Sequence, residues 1–268
     1  MDIYGRVIVI TGAASGIGAA MARRFAAEGA RALVLGDIQM APLRALAQEL
    51  ALAHGKDGLE VIAQACDVTH EAPIQALAAS AIDRFGRIDI FCSNAGLVLD
   101  GDETASDDIW TLNWNIHVMA NVWAARAVIP GMAELGEGYF LITASAAGLL
   151  TSLPSASYAV TKHAAIAFAE KLAIDHADQG VRVSALCPQA VDTPLMKGRL
   201  GKGAALDGVA TPDEVADCVV KGLAAERFLI LPHPKVADYF AVKATDYERW
   251  LAGMRRGLAK VRAANDPG

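Results

Sequence analysis

Basic charge is scarce in this 268-residue chain: 24 lysines and arginines face 30 aspartates and glutamates, giving a formal net charge of -6. A nucleic-acid surface needs clustered cations to meet phosphates. The one local cluster, Arg255, Arg256, Lys260 and Arg262, reads as a solvated helix face, so no nucleic-acid partner is expected. Long apolar runs are missing too. No stretch reaches the roughly 18 residues that span a bilayer, and the N-terminus lacks a basic region followed by an apolar run. The expectation is a soluble cytoplasmic protein with no membrane partner. Cysteine is sparse, with Cys66, Cys92, Cys187 and Cys218 scattered and never in Cys-x-x-Cys spacing. They read as reduced core residues. His117, His163 and His176 show no metal-ligand pattern and read as surface or helix-packing residues, so no metal is expected. Nothing rich in Pro, Gly or Ser divides the chain, and no repeat is visible, so residues 1–268 read as one domain.

The chain does have 54% hydrophobic residues, ample for a buried core. Short β-branched runs alternate with helical periodicity: strand over 6–11, helix over 16–28, strand over 31–36, helix over 40–54, strand over 59–66, helix over 71–85 and strand over 88–92. A long helix is expected over 107–132, then strand over 139–143, helix over 155–177 and strand over 181–187. Runs such as Val7-Ile8-Val9-Ile10 are apolar at every position, as strands buried on both faces are. The pattern predicts a Rossmann-like, doubly wound parallel α/β sheet with helices on both faces. Residues 194–210, with four glycines among apolar residues, read as a flexible flap. Residues 235–264 read as a C-terminal helical extension, on which Leu251, Met254 and Leu258 make a stripe for core or subunit packing, or for a substrate lid.

Chemistry enters at two places. Thr11-Gly12-Ala13-Ala14-Ser15-Gly16-Ile17-Gly18 joins the first strand to the first helix, where backbone N–H groups and the positive helix end can face a pyrophosphate. Asp37 follows the second strand, positioned to accept from adenosine ribose hydroxyls. With no basic residue at Ser15 or Ile38 to offset its charge against a 2′-phosphate, it predicts NAD over NADP. Farther along, Tyr158 and Lys162 share one helix face downstream of Ser145. A phenol beside an ammonium should have its pKa drawn down towards the range of general acid–base work.

From Arg6 to about Pro232 these residues resemble the short-chain dehydrogenase/reductase family. The resemblance rests on the glycine turn of Thr11–Gly18, on Asn94-Ala95-Gly96, on Ser145 and on Tyr158-x-x-x-Lys162. It implies an oxidoreductase that moves a hydride between NAD and an alcohol or ketone. Tyr158 is then the general acid/base, Ser145 binds the substrate oxygen, and Lys162 holds the nicotinamide ribose and tunes Tyr158. Asn115 supports a water path, with Asn113 close by as the alternative. The cofactor set is Gly12, Ser15, Gly16, Ile17, Gly18, Asp37, Asp67, Val68, Asn94, Ala95, Gly96, Tyr158, Lys162, Pro188 and Thr193. A homotetramer or homodimer is implied. Gln189, Ala185 and Ser93 depart from the family pattern, as does the exit from the last strand, where Phe228-Leu229-Ile230-Leu231 leads into Pro232-His233-Pro234 and a helical extension.

Leu97, Val98, Leu99, Leu149, Leu150, Leu153, Leu195, Met196 and Leu206 fall in segments around the reacting centre. They suit a small apolar secondary alcohol or ketone of steroid-like, cyclic or aryl-alkyl type. Lys197, Arg199 and Lys202 leave an anionic substrate open. The competing readings are an NADP-dependent ketoreductase and a catalytically silent nucleotide sensor of the same fold.

Overall fold

A computed structural model describes residues 1–196 and 207–265. Its strands are β1 (Val7–Thr11), β2 (Ala32–Asp37), β3 (Glu60–Ala65), β4 (Ile90–Ser93), β5 (Gly138–Thr143), β6 (Val181–Leu186) and β7 (Leu229–Ile230). They form one parallel sheet in the order β3-β2-β1-β4-β5-β6-β7. Successive residues of a strand point to opposite faces, and in β1 both sets are buried. Val7 and Val9 pack into a cluster with Ile74 and Leu77 of α3 (Glu71–Phe85), Val128 of α5 (Ala120–Glu134) and Ile166 of α7 (Ala156–His176). Ile8 and Ile10 join Met21 and Phe25 of α1 (Gly16–Ala27), Leu43 of α2 (Met40–His54) and Val219 of α8 (Pro212–Ala224). The sheet is thus wound on both sides. Its strand order turns between β1 and β4, which opens a crevice at their carboxyl ends.

The predicted helices over 40–54 and 71–85 end as expected, but the long helix is not uniform. It runs as α4 (Asp107–Trp114), a π turn (Asn115–Met119) and α5. The extension also divides, into α9 (Lys235–Thr245) and α10 (Tyr247–Asn265). Asp246 breaks it by leaving helical backbone (φ -145°, ψ 80°) and accepting from Arg249 N–H at 2.9 Å, the behaviour of an N-cap. Among the described residues no helix is long and apolar enough to cross a membrane. Of the expected flap, Pro194–Met196 forms a single 3-10 turn, and Ala210 bridges back to Val191. Lys197, Arg199, Lys202 and Leu206 lie outside the described residues.

Candidate active site

Among the described residues the glycine turn, Asp37, Asp67, Asn94, Ser145 and Pro188 lie at or just beyond the carboxyl ends of the strands. The turn after β1 is tight enough to require its glycines. Gly12 has φ +66°, and a Cβ there would lie 2.7 Å from Ala95 Cα; at Gly18 one would lie 2.2 Å from Gly12 O. Asn94 secures the turn from β4, its Nδ2 donating to Thr11 O (3.1 Å) and Gly12 O (3.3 Å), while its Oδ1 accepts from Thr143 Oγ1 at 3.0 Å. Asn94 N–H and Ala95 N–H both donate to Thr11 Oγ1. Thr193, after β6, closes the other side; a Cβ on Gly16 would meet its Cγ2 at 3.0 Å.

Helix α1 begins at this turn with no side-chain cap from Ser15 and no acidic residue in its first turn, leaving Gly16, Ile17 and Gly18 at an N-terminus suited to an anion. A nucleotide pyrophosphate fits that chemistry. Asp37 stands beside it, largely buried, its Oδ2 accepting from Ala14 N–H at 3.0 Å and its Oδ1 from Gln39 N–H at 2.9 Å. Beyond β3, Val68 is buried. The Asp67 carboxylate is bonded by Thr69 through hydroxyl (2.7 Å) and backbone (2.9 Å), which holds its pKa below the ordinary value.

Ser145 follows β5 and caps α6 (Ala146–Leu149), its Oγ accepting from Ala147 N–H at 3.1 Å; Pro188 O accepts from Ala146 N–H at 2.9 Å. Helix α7 starts at Ser155, whose Oγ accepts from Tyr158 N–H (3.2 Å) and donates to Leu99 O (2.5 Å). Tyr158 thus enters on a helix pinned to the loop after β4. Lys162, one turn on, is buried, with Nζ donating to Thr143 O at 2.9 Å and lying 5.5 Å from the Tyr158 ring centre.

The expected fall in the Tyr158 pKa is not found. Burial pushes the phenol above its ordinary value, against the opposing pull of a hydrogen bond with Ser145. The shift falls on the lysine instead, whose ammonium burial brings down to about 7. Desolvation is the largest influence on both groups and sets the direction of each shift.

Among the described residues no side-chain hydrogen bond links Asn115 to Ser145, Tyr158 or Lys162. Asn115 is half-buried on the π turn, whereas His117, two positions on, is 2% exposed and meets Tyr158 edge to face, with ring centres 5.3 Å apart and planes at 86°. Residues two apart on a helix do not share a face, so Asn115 cannot take His117's place. Asn113 is buried but turned to its own helix, Nδ2 donating to Ile109 O at 2.9 Å. His117 is therefore no surface histidine.

Of the apolar candidates, Leu149 belongs to the core, while Leu97, Val98, Leu99, Leu150, Leu153 and Met196 are half-buried and Leu195 is exposed. Lys243 of α9 reaches this wall, donating to Leu149 O (2.8 Å) and Leu150 O (2.7 Å), with His163 Nε2 at 3.2 Å and the Trp250 ring centre at 5.0 Å. The extension is thereby latched to the segment after Ser145, and His163, adjacent to Lys162 in sequence, is part of the latch. Lys243→Met leaves two carbonyls without their charged donor, a loss of about 1.5 to 3 kcal/mol. Its Tm, measured by thermal unfolding, is expected to drop by about 5 °C.

A family model described as "short chain dehydrogenase" matches residues 6–202. The chain is 36% identical over 261 residues to the 1-deoxy-11-beta-hydroxypentalenate dehydrogenase of Streptomyces avermitilis, covering 94% of this chain and 93% of that protein. Among solved structures, a short chain dehydrogenase/reductase from Burkholderia phymatum in complex with NAD superposes with a TM-score of 0.85 at 30% identity, covering 92% of this chain and 96% of the other. The L-sorbose reductase of Gluconobacter frateurii, complexed with NADPH and L-sorbose, gives a TM-score of 0.77 at 30% identity over 86% and 95%.

Proposed function

The chain belongs to the short-chain dehydrogenase family, and on that premise we propose that it transfers a hydride between NAD and the carbinol carbon of an apolar secondary alcohol. It is an oxidoreductase acting on CH–OH groups with a nicotinamide cofactor. The observation that carries the finer reading is the convergence of Ser145, Tyr158 and Lys162 beside a glycine-lined helix N-terminus. When bound, the nicotinamide supplies the hydride acceptor or donor. Residues Gly12, Ser15, Gly16, Ile17 and Gly18 hold the pyrophosphate, Asp37 the adenosine ribose, Asp67 and Val68 the adenine edge, and Asn94 to Gly96, Pro188 and Thr193 the nicotinamide end. Tyr158 takes the hydroxyl proton in oxidation and returns it in reduction, while Ser145 donates a hydrogen bond to the same oxygen. Lys162 spends one N–H on Thr143 O and has others for the ribose.

The half-buried leucines of 97–99 and 150–153 support a substrate of steroid-like, cyclic or aryl-alkyl type. The exposed apolar residues Leu112 and Trp114 on α4 and Val160 and Ile174 on α7 support a homodimer or homotetramer, and four unpaired cysteines suit the reducing cytoplasm.

Asp37 supports NAD. Its carboxylate stands at the glycine turn, and a unit like-charge pair at about 4 Å costs on the order of 4 kcal/mol at an effective dielectric of 20, before screening. Asp37→Asn removes the charge and keeps one of the two acceptors that meet Ala14 N–H and Gln39 N–H. The wild type is expected to favour NAD over NADP in kcat/KM, and the variant to narrow the ratio by about tenfold, one part of that energy surviving screening. Assays of cyclic, steroidal and aryl secondary alcohols with both cofactors, with a sugar alcohol as comparison, test both points. Equal use of the two cofactors by the wild type removes the argument from Asp37; turnover of the sugar alone removes the apolar substrate.

A further inference from the structure

His117 sits at the middle of the π turn with both ring nitrogens engaged. Nε2 lies 3.3 Å from Leu97 N and Nδ1 lies 3.0 Å from Thr161 Oγ1. A backbone N–H can only donate, so Nε2 is the bare nitrogen and the ring proton is on Nδ1, given to Thr161 Oγ1. The Thr161 hydroxyl passes its own hydrogen to Ser157 O at 2.8 Å, within the same helix. One tautomer of a neutral imidazole satisfies every partner. A second proton would set N–H against the Leu97 N–H, and burial, reinforced by the Lys162 charge, holds the pKa well below the ordinary histidine value.

The ring touches three parts of the centre at once. It stands edge to face with Tyr158, it anchors Leu97, and it lies against Gly96, where an added Cβ would meet His117 Nε2 at 3.5 Å and Lys162 Nζ at 3.7 Å. The titratable groups facing it are Tyr158 and Lys162 of α7; residues 94–97 and its own stretch 113–121 carry no other.

We propose that His117 is a positioning residue of the reaction centre, a neutral imidazole that braces the Tyr158 ring and ties the Gly96–Leu97 turn to α7 through Thr161. Its kinetic consequence rests on the hydride-transfer reading above. Its geometry does not, so the test has two arms.

In the first arm, 15N-labelled histidine is followed by NMR in the full chain, together with ultraviolet titration of the Tyr158 phenol, identified by its loss in Tyr158→Phe. His117 is expected to show the Nδ1–H tautomer and no titration near pH 6.5, the ordinary value. In His117→Gln the half-buried Tyr158 gains wider access to water, which moves the phenol titration to lower pH. His117→Phe, which keeps a ring there, moves it less. In the second arm, kcat falls by about tenfold to a hundredfold in both folded variants, the scale of a small misplacement of a reacting group, with NADH affinity within about threefold of wild type. A His117 that titrates at its ordinary value, or folded variants with an unmoved phenol titration and wild-type kcat, overturns the proposal. A wild type with no dehydrogenase activity but the expected first arm overturns the hydride reading and leaves the bracing role standing.

Discussion

Replacing Tyr158 by phenylalanine is expected to leave NADH binding intact and to lower turnover by about 10²- to 10⁴-fold, the usual worth of a positioned acid or base. The substitution removes one oxygen from a ring that is packed against His117 and carried on a helix capped by Ser155. Neither support depends on the hydroxyl, so the fold should survive. Ser145 and Lys162 remain, and they sustain the residual rate through orientation. The pH profile carries a second signature. Burial raises the phenol, and oxidation needs its deprotonated form, so the wild-type oxidation rate should climb as pH rises above neutrality. Reduction needs the protonated phenol and should favour the lower side. Both slopes are expected to flatten in the phenylalanine variant. Near-normal turnover in a folded variant, measured by NADH absorbance, would remove Tyr158 from the mechanism.

The second large effect is expected at Gly18. A methyl group there would sit 2.2 Å from Gly12 O and 2.7 Å from Asn94 Nδ2, and the first of these is backbone that cannot swing aside. Gly18→Ala must therefore shift the turn off the end of α1, at the 1 to 3 kcal/mol usual for overpacking (~2 kcal/mol). The N–H groups meant for the pyrophosphate lose their aim. Affinity for NADH, by fluorescence titration, should weaken by about tenfold to a hundredfold. Gly131→Ala is the control: it lies within α5 with nothing within 4 Å of the added atom, and it should bind NADH normally and gain about 0.5 to 1 kcal/mol in stability. Equal NADH affinity in the two variants would show that the turn does not hold the cofactor.

Much of the scaffold was legible because it follows from burial pattern. Val7-Ile8-Val9-Ile10 could only be a strand covered on both faces, and the amphipathic spacings of 40–54 and 71–85 mark their helices from end to end. The grouping of Ser145, Tyr158 and Lys162 was legible too, since short local spacings and strand ends decide where they fall. What stayed hidden depends on distant packing. Asn115 comes from the family resemblance, whereas the contact of His117 with Tyr158 joins the π turn at 115–119 to α7 across some forty residues, and no motif or regular periodicity reports it. The direction of the Tyr158 shift is set by burial that no local spacing reveals. Lys243 meets Leu149 and Leu150 across more than ninety residues of sequence, and nothing in α9 alone announces that contact. The break at Asp246 does have a local signal, an aspartate ahead of a new amphipathic run.

The proposed reaction moves a hydride between a carbinol carbon and the nicotinamide in the crevice above Tyr158. The most direct measurement uses secondary alcohols deuterated at the carbinol carbon, incubated with the full chain and NAD, with the recovered NADH analysed by mass spectrometry. One deuterium in the reduced cofactor, a ketone product that has lost it, and neither in Tyr158→Phe over the same time is the predicted result. Oxidised alcohol accompanied by unlabelled NADH, or label transfer undiminished in Tyr158→Phe, would contradict it.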